Sequence, residues 1–136
     1  MKKGTKELLD LAEDNILTAR KSVEAELYRG ACFRAQQAIE LALKAFLAEH
    51  DVFDIHRHRT HNLRFLIEEC RKINDDFKKI LEYGDVDKIS SYAVLTRYNV
   101  IFAKEVSQRD AKEAIELAEK VKEFVMRKLD IDESLE

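Results

Sequence analysis

The stretch that decides the fold is Ala31–His50, which reads ACFRAQQAIELALKAFLAEH. It contains neither Gly nor Pro and is rich in strong helix formers, so it predicts one long helix. Large apolar side chains fall on one broad face at helical spacing, and small side chains line its flank. These positions are Cys32, Ile39, Leu43, Phe46 and Leu47, flanked by Ala31, Ala35, Ala38, Ala42 and Ala45. Because small side chains let a neighbouring backbone come close, this helix is predicted to lie at the centre of the molecule.

One polar side chain, Gln36, lies within the apolar face of this predicted helix. A buried amide without partners costs about 1–3 kcal/mol. We therefore expect Gln36 to fix a neighbouring helix through buried hydrogen bonds.

The composition of the whole chain indicates a single all-α domain. The 136 residues are enough for one hydrophobic core. The chain has no Pro and only three Gly, too few turn residues for a sheet protein of this length. The sequence therefore predicts an antiparallel, up-and-down bundle of four or five helices over residues 1–136, with a flexible acidic tail at 130–136.

Helical spacing and capping residues predict where the helices begin and end. The first helix is expected from about Thr5 to Leu27, with Thr5 as its N-cap and Tyr28–Gly30 as the break before the second helix. Later helices are predicted from His61 or Asn62 to Lys72, from Asn74 to Tyr83 with a left-handed cap at Gly84, from Val86 to Tyr98, and from Ser107 to Leu129.

Charge and cysteine content narrow the class of protein. The net charge of −3 gives no overall attraction to nucleic acid, so such a role would need a local basic patch. Two isolated cysteines, Cys32 and Cys70, are typical of a reducing compartment. No apolar run reaches membrane-spanning length, and the first residues do not form a secretory signal. We expect a cytoplasmic protein with no membrane partner.

The one concentrated basic patch is His56–Arg64, HRHRTHNLR, which we call the basic segment. Its first interpretation is phosphate binding, with the guanidinium groups contacting a nucleotide or RNA. The residues for that role are His61, Arg64, Arg57 and Arg59. A second is a metal site formed by His56, His58 and His61, which is less favoured because structural zinc sites usually add Cys or a closely spaced fourth ligand. The third is a solvated segment that pairs with acidic neighbours.

A second candidate site is Thr96-Arg97-Tyr98, at the end of the predicted fourth helix. Arg97 either points into a ligand groove beside Tyr98 or contacts the carbonyl groups of the helix end. The chain contains no Gly-rich phosphate loop and no nucleophile, zinc-protease or paired-cysteine motif. We therefore predict no catalytic residue, no metal and no cofactor.

Taken in order, three pieces of the chain resemble the HEPN domain family. Residues 36–45, QQAIELALKA, resemble the signature second helix of that family. Residues 60–66, THNLRFL, resemble its His-x-Leu-x-x-Leu element, and residues 95–98, LTRY, resemble its Thr-Arg-Tyr segment. The long final helix agrees in type and position. The resemblance implies an antiparallel bundle, usually a homodimer, in prokaryotic cytoplasm, often encoded beside a minimal nucleotidyltransferase as a toxin–antitoxin-type pair.

The resemblance also makes ribonuclease activity a candidate function, because one branch of the family cleaves RNA without metal through an Arg-x4-6-His motif. No Arg in this chain is followed by His at that spacing, since Arg57 and His61 are one residue too close and no His follows Arg97. The imidazole that would act as general acid or base is therefore absent from the position that the motif requires. Asn99-Val100 also replaces the Pro-Asp that follows Arg-Tyr in many relatives.

The hypothesis that fits best is a HEPN-like, dimeric binding module that partners a nucleotidyltransferase and holds the phosphate of a nucleotide or RNA. Arg97 and Tyr98 are predicted to line a cleft near the dimer axis, with His61 and Arg64 adding positive potential. Two alternatives stay open. One is a ribonuclease that uses a relocated His from residues 56–61, and the other is a dimerisation scaffold without a ligand.

Overall fold

The computed structural model describes residues 1–95 and 105–134, with side chains at residues 1–94 and 105–130. The described helices are α1 (Lys3–Glu24), α2 (Tyr28–Glu49), α3 (Leu63–Arg71), a 3₁₀ helix (Asp75–Glu82), α4 (Val86–Ser90), α5 (Tyr92–Leu95) and α6 (Gln108–Ser134). Within those ranges there is no strand, which confirms the predicted all-α fold. None of these helices combines the length and apolar character needed to cross a membrane.

Helix α2 lies at the centre of the bundle, as its sequence predicts. It contacts α1 and α6 most extensively and also touches α3, α4 and α5. All five of the small positions named above are buried, together with Ile39, Leu43, Phe46 and Leu47. The Phe46 ring lies 4.4 Å from the ring of Phe77, which in turn meets Phe124 at 5.0 Å. A cluster of three aromatic rings, in tilted and edge-to-face contacts, thus ties α2 to the 3₁₀ helix and α6.

The break between the first two helices lies earlier in the chain than predicted. Helix α1 ends at Glu24, and Glu26 adopts a left-handed backbone with φ of 61°. The Leu27 carbonyl then accepts the Ala31 N–H at 3.0 Å, so Tyr28–Gly30 form the first turn of α2. The prediction of a break at Tyr28–Gly30 was wrong because Glu26 makes the reversal without needing glycine.

Two predicted caps also differ. Helix α1 begins at Lys3 and leaves Thr5 buried inside its first turn, because the Lys2 N–H donates to Glu49 Oε1 at 2.8 Å and fixes the chain start against the end of α2. Gly84 does not have a positive φ. A Cβ at Gly84 would lie 3.4 Å from the Leu117 side chain, which is ordinary van der Waals contact, so neither the backbone conformation nor the packing requires glycine there.

Three other helices, namely α3, the 3₁₀ helix and α6, begin where their capping residues predict. The side chains of Asn62 and Asn74 accept the N–H groups of Phe65 and Asp76. At α6, the Asp110 N–H donates to Ser107 Oγ at 3.1 Å, and the Ser107 N–H donates to Asp110 Oδ2 at 3.0 Å. The predicted capping box with Asp in place of Glu is therefore confirmed.

The predicted helix from Val86 to Tyr98 is two short helices in the structure. Helix α4 ends at Ser90, Ser91 caps it, and α5 follows from Tyr92. Arg97, Tyr98 and the rest of 96–104 lie outside the described residues. At the other end of the chain, α6 continues to Ser134, past its predicted end at Leu129.

Candidate functional site

The basic segment and the residues just before it form the connection between α2 and α3. Asp51 leaves α2 with a φ of 59°. The Asp54 carboxylate then accepts the backbone N–H groups of His56 and Arg57 at 2.8 and 3.2 Å. These two N–H groups hold the pKa of Asp54 below its usual value, with the Arg57 N–H the larger cause. The segment is thus shaped by an acid that directly precedes it.

Buried His58 anchors the segment to α3. Its side chain is only 3% exposed, and its Nδ1 accepts the Asp54 N–H at 2.9 Å. Since Nδ1 is an acceptor, the ring proton is on Nε2, which donates to Glu69 Oε1 at 3.1 Å. The ring lies between those of Phe53 and Phe65, with centroids 5.7 and 6.3 Å away. His58 is therefore part of the structure of the segment and is not open to a ligand.

Glu69 receives three basic side chains from this region. Arg57 Nε donates to Glu69 Oε1, Lys72 Nζ lies 2.6 Å from Oε2, and His58 completes the set. The Arg57 hydrogen bond is the main cause that lowers the pKa of Glu69 to about 2. Arg57 was predicted as a phosphate ligand, and the structure pairs it with this carboxylate.

His61 belongs to a second polar cluster, which forms against α2. Its Nδ1 lies 2.9 Å from Glu40 Oε2. The same carboxylate accepts Gln36 Nε2 at 3.2 Å and Lys44 Nζ at 2.6 Å. Glu40 and Gln36 are buried, whereas the His61 side chain is 35% exposed. The carboxylate therefore orients an imidazole whose outer edge reaches solvent.

The backbone of His61 is held as firmly as its ring. Its carbonyl accepts Gln36 Nε2 at 3.2 Å and Ser90 Oγ at 2.9 Å. The Leu63 N–H donates to the same Ser90 hydroxyl at 3.0 Å. Gln36 thus connects α2 to the start of α3, as expected from its place in the apolar face, and Ser90 adds α4 to that junction.

Arg64, another predicted phosphate ligand, pairs with α4. Its Nε and a terminal nitrogen each lie 3.0 Å from an oxygen of the Asp87 carboxylate. This two-bond contact lowers the pKa of Asp87. Both side chains are exposed, so the pair lies at the surface. The positive potential expected from Arg64 is offset by this neighbour.

An open groove of about 600 Å³ runs between the basic segment and the short helices. It is lined by Arg59, Thr60, His61, Asn62, Asp87, Ser90, Ser91 and Val94. Arg59 is exposed and forms no ion pair with any side chain that the structure describes. Among the side chains that the structure describes, the groove therefore offers one guanidinium without an ion pair, the hydroxyl of Thr60, the amide of Asn62 and the edge of His61.

The three histidines of the basic segment are not brought together. His56 is exposed, His58 is buried against Glu69, and His61 faces Glu40. Among residues with described side chains, no three His, Cys, Asp or Glu are arranged to hold a metal ion. Of the predicted ligands, Arg59 and His61 line one groove, Arg64 contacts its Asp87 edge, and Arg57 points to Glu69.

Sequence reasoning missed the acidic partners Glu69 and Asp87 and the hydroxyl of Ser90. Glu69 lies on α3 and Asp87 and Ser90 both lie on α4, each at least 11 residues along the chain from its partner in the basic segment, so no local spacing marked them. Glu40 was assigned to a polar edge with Lys44, and that pair is present at 2.6 Å. Glu40 also lies four residues after Gln36, and this second i,i+4 spacing was the signal in the sequence that Glu40 turns toward the core.

Comparisons with known proteins agree with the helical fold. The family model for the HEPN domain matches residues 5–129. The crystal structure of an archaeal HEPN homologue superposes with a TM-score of 0.71 at 22% sequence identity, covering 94% of this chain and 98% of that chain. No curated protein matches the chain. With nearly the whole bundle inside the matched range, the chain belongs to the HEPN domain family.

Proposed function

We propose that this HEPN domain is a binding module that holds a phosphate group of a nucleotide or RNA in the groove beside the basic segment. The observation that carries the proposal is Arg59, whose exposed guanidinium lines the groove and forms no ion pair with any described side chain. Guanidinium forks bind phosphate through paired hydrogen bonds. The Thr60 hydroxyl lines the same groove and accepts the Asn62 N–H, so its own proton can point to a phosphate oxygen.

Arg97 and Tyr98 extend the proposal by their place in the sequence. They follow Val94, which lines the groove, by three and four residues. A second guanidinium and an aromatic ring are the groups that would contact a further phosphate and a base.

The test is binding of a labelled 12-nucleotide single-stranded RNA and of AMP, measured by fluorescence anisotropy and calorimetry at low salt. Arg59→Ala should weaken RNA binding at least about 5-fold and reduce the salt slope by about 0.7 for the lost phosphate contact. Arg127→Ala is the matched control, because it removes an exposed arginine from α6 away from the groove. Equal affinity in wild type and Arg59→Ala would refute the site, and the same comparison with Arg97→Ala tests the extension.

We further propose that the protein forms a homodimer and partners a minimal nucleotidyltransferase in a toxin–antitoxin-type pair. Membership of the HEPN family supports both parts. Light scattering after size exclusion measures the oligomeric state, and a monomer at micromolar concentration would refute the dimer. If the adjacent open reading frame encodes a nucleotidyltransferase, the two proteins should co-purify after co-expression. A neighbour of another class, or failure to co-purify, would contradict the pairing.

A second candidate function is RNA cleavage, and the His61–Glu40 contact favours it. The Glu40 carboxylate accepts the Nδ1 proton, so neutral His61 keeps a lone pair on Nε2. A base at that atom could take the proton of a ribose 2′-hydroxyl, whose oxygen then attacks the adjacent phosphorus. The 5′-oxygen leaves with a proton from solvent, giving a 2′,3′-cyclic phosphate and a 5′-hydroxyl.

A cleavage assay separates this second function from simple binding. Wild type should cut the RNA, His61→Ala should lose at least about 100-fold in rate, and His56→Ala should retain full rate. His56 is a suitable control because it lies in the same segment and is exposed. Cleavage that survives in His61→Ala would exclude this mechanism.

A further inference from the structure

At the edge of the groove, Asp87 contacts Arg64 with the geometry that a phosphate would also adopt toward an arginine. Two guanidinium nitrogens each contact one carboxylate oxygen at 3.0 Å. Parallel N–H···O bonds of this kind are the arrangement by which arginine binds phosphate as well as carboxylate. Asp87 also lines the groove together with Arg59 and His61.

We propose that Asp87 is an internal competitor that limits phosphate binding in the groove. It holds the Arg64 guanidinium in the place of a ligand phosphate and puts a negative charge on the groove wall. The inference rests on the proposed phosphate site and adds its regulation: the Arg64 guanidinium contributes to phosphate binding only when it exchanges Asp87 for the ligand.

The exchange is feasible because the pair is exposed. The side chains of Arg64 and Asp87 keep 49% and 65% of their accessible surface. Exposed ion pairs are weak, since water and salt compete with both partners. A phosphate with two negative charges attracts the guanidinium more strongly than a carboxylate with one. Arg57 differs, since its partner Glu69 is 7% exposed and is also bound by His58 and Lys72.

The test compares AMP affinity, measured by calorimetry at low salt, in wild type and Asp87→Asn. Asn keeps the size of the side chain and removes its charge, so affinity should rise about 5–10-fold as Arg64 is released and repulsion is lost. In an Arg64→Ala background the same substitution should raise affinity no more than about 2-fold. Adenosine lacks phosphate, so its affinity should be the same for wild type and Asp87→Asn. An RNA with blocked ends shows whether Asp87→Asn raises the affinity for internal phosphates by the same factor.

Asp75→Asn is the matched control. It removes one carboxylate from another exposed Arg–Asp pair, with Arg71 at 3.0 Å, away from the groove. Its AMP affinity should stay within about 2-fold of wild type, which separates the local effect from the change in net charge. Melting curves of all variants verify that they fold.

The outcomes distinguish this inference from the proposed site. If wild type binds AMP through Arg59 and Asp87→Asn binds no better, the competitor role is wrong and the site stands. An equal gain with and without Arg64 would also refute the exchange. If neither wild type nor Asp87→Asn binds AMP or the RNA, both proposals are wrong. Binding seen only in Asp87→Asn would support both.

Discussion

At the scale of single residues, buried polar side chains join α2 to the rest of the molecule. Gln36 is fully buried and uses both ends of its amide: Nε2 faces Glu40 and the His61 carbonyl, and Oε1 accepts Gln37 Nε2 at 2.7 Å. A fully paired amide can specify one arrangement of helices, because any shift would leave buried polar atoms without partners.

Replacing Gln36 with Leu should destabilise the fold although the new residue is apolar. The substitution leaves Glu40 and Gln37 each with one partner fewer, so the free energy of unfolding should fall by about 1–3 kcal/mol. Urea denaturation at pH 7 measures this change. Gln108→Leu, at an exposed position in α6, should stay within about 0.5 kcal/mol of wild type. A Gln36→Leu protein as stable as wild type would mean that these hydrogen bonds contribute nothing net.

The basic segment illustrates what residue types alone can predict. Its Arg and His side chains are evident in the sequence, and pairing with acidic neighbours was one of the interpretations. The sequence does not identify those acidic neighbours, because Glu69 is supplied by α3 and Asp87 by α4. Only the packing of the helices decides that Arg57 and Arg64 form ion pairs while Arg59 forms none with the side chains that the structure describes.

At the scale of elements, the start of α6 is the best-defined helix terminus. Asp110 belongs to the capping box with Ser107 and also accepts Lys88 Nζ at 2.7 Å, so it ties α4 to α6. The Lys88 hydrogen bond and then the Ser107 N–H lower the pKa of Asp110 to about 2. The local capping box was readable from the sequence, whereas the contact with Lys88 depends on the fold.

Asp110→Asn should therefore destabilise the protein in a pH-dependent way. The depressed folded-state pKa means that the carboxylate stabilises the fold above the ordinary value of 3.8 and that this contribution is lost as pH falls toward 2. We expect a loss of about 1–2 kcal/mol at pH 7 that becomes smaller below about pH 4.

Urea unfolding at pH 7, 5, 4 and 3 measures the difference from wild type. Glu123→Gln serves as the control, since Glu123 is exposed on α6 and, among the described side chains, its one ion pair is with Arg127 at 3.7 Å. Its difference should be within about 0.5 kcal/mol and flat with pH. A constant deficit for Asp110→Asn down to pH 3 would contradict the role of the ionised form.

At the scale of the whole molecule, close packing around α2 sets the shape of the bundle. Helices α1 and α6 both lie against it, and five of its six alanines are buried with essentially no exposed surface: Ala31, Ala35, Ala38, Ala42 and Ala45. Interiors are packed as densely as organic crystals, so extra methyl groups there force the helices apart.

Ala42→Leu should consequently lower the free energy of unfolding by about 1–3 kcal/mol. Ala48→Leu is the matched control, because it makes the same change on the same helix at a half-buried position and should cost less than about 0.5 kcal/mol. Denaturant unfolding of the two variants compares them directly. Equal stability of both proteins would show that α2 does not need small residues at its contacts.

The sequence by itself determined the helical class, the central place of α2, the capping box of α6 and the location of the basic segment. These depend on local propensity, periodicity and residue type, which the chain carries at short range. The tertiary structure alone decided the reversal at Glu26, the division of the fourth helix into α4 and α5, and the acid that each basic side chain meets. Those features depend on which helices come into contact, because charge pairing and buried hydrogen bonds are fixed by distances between residues far apart in the chain.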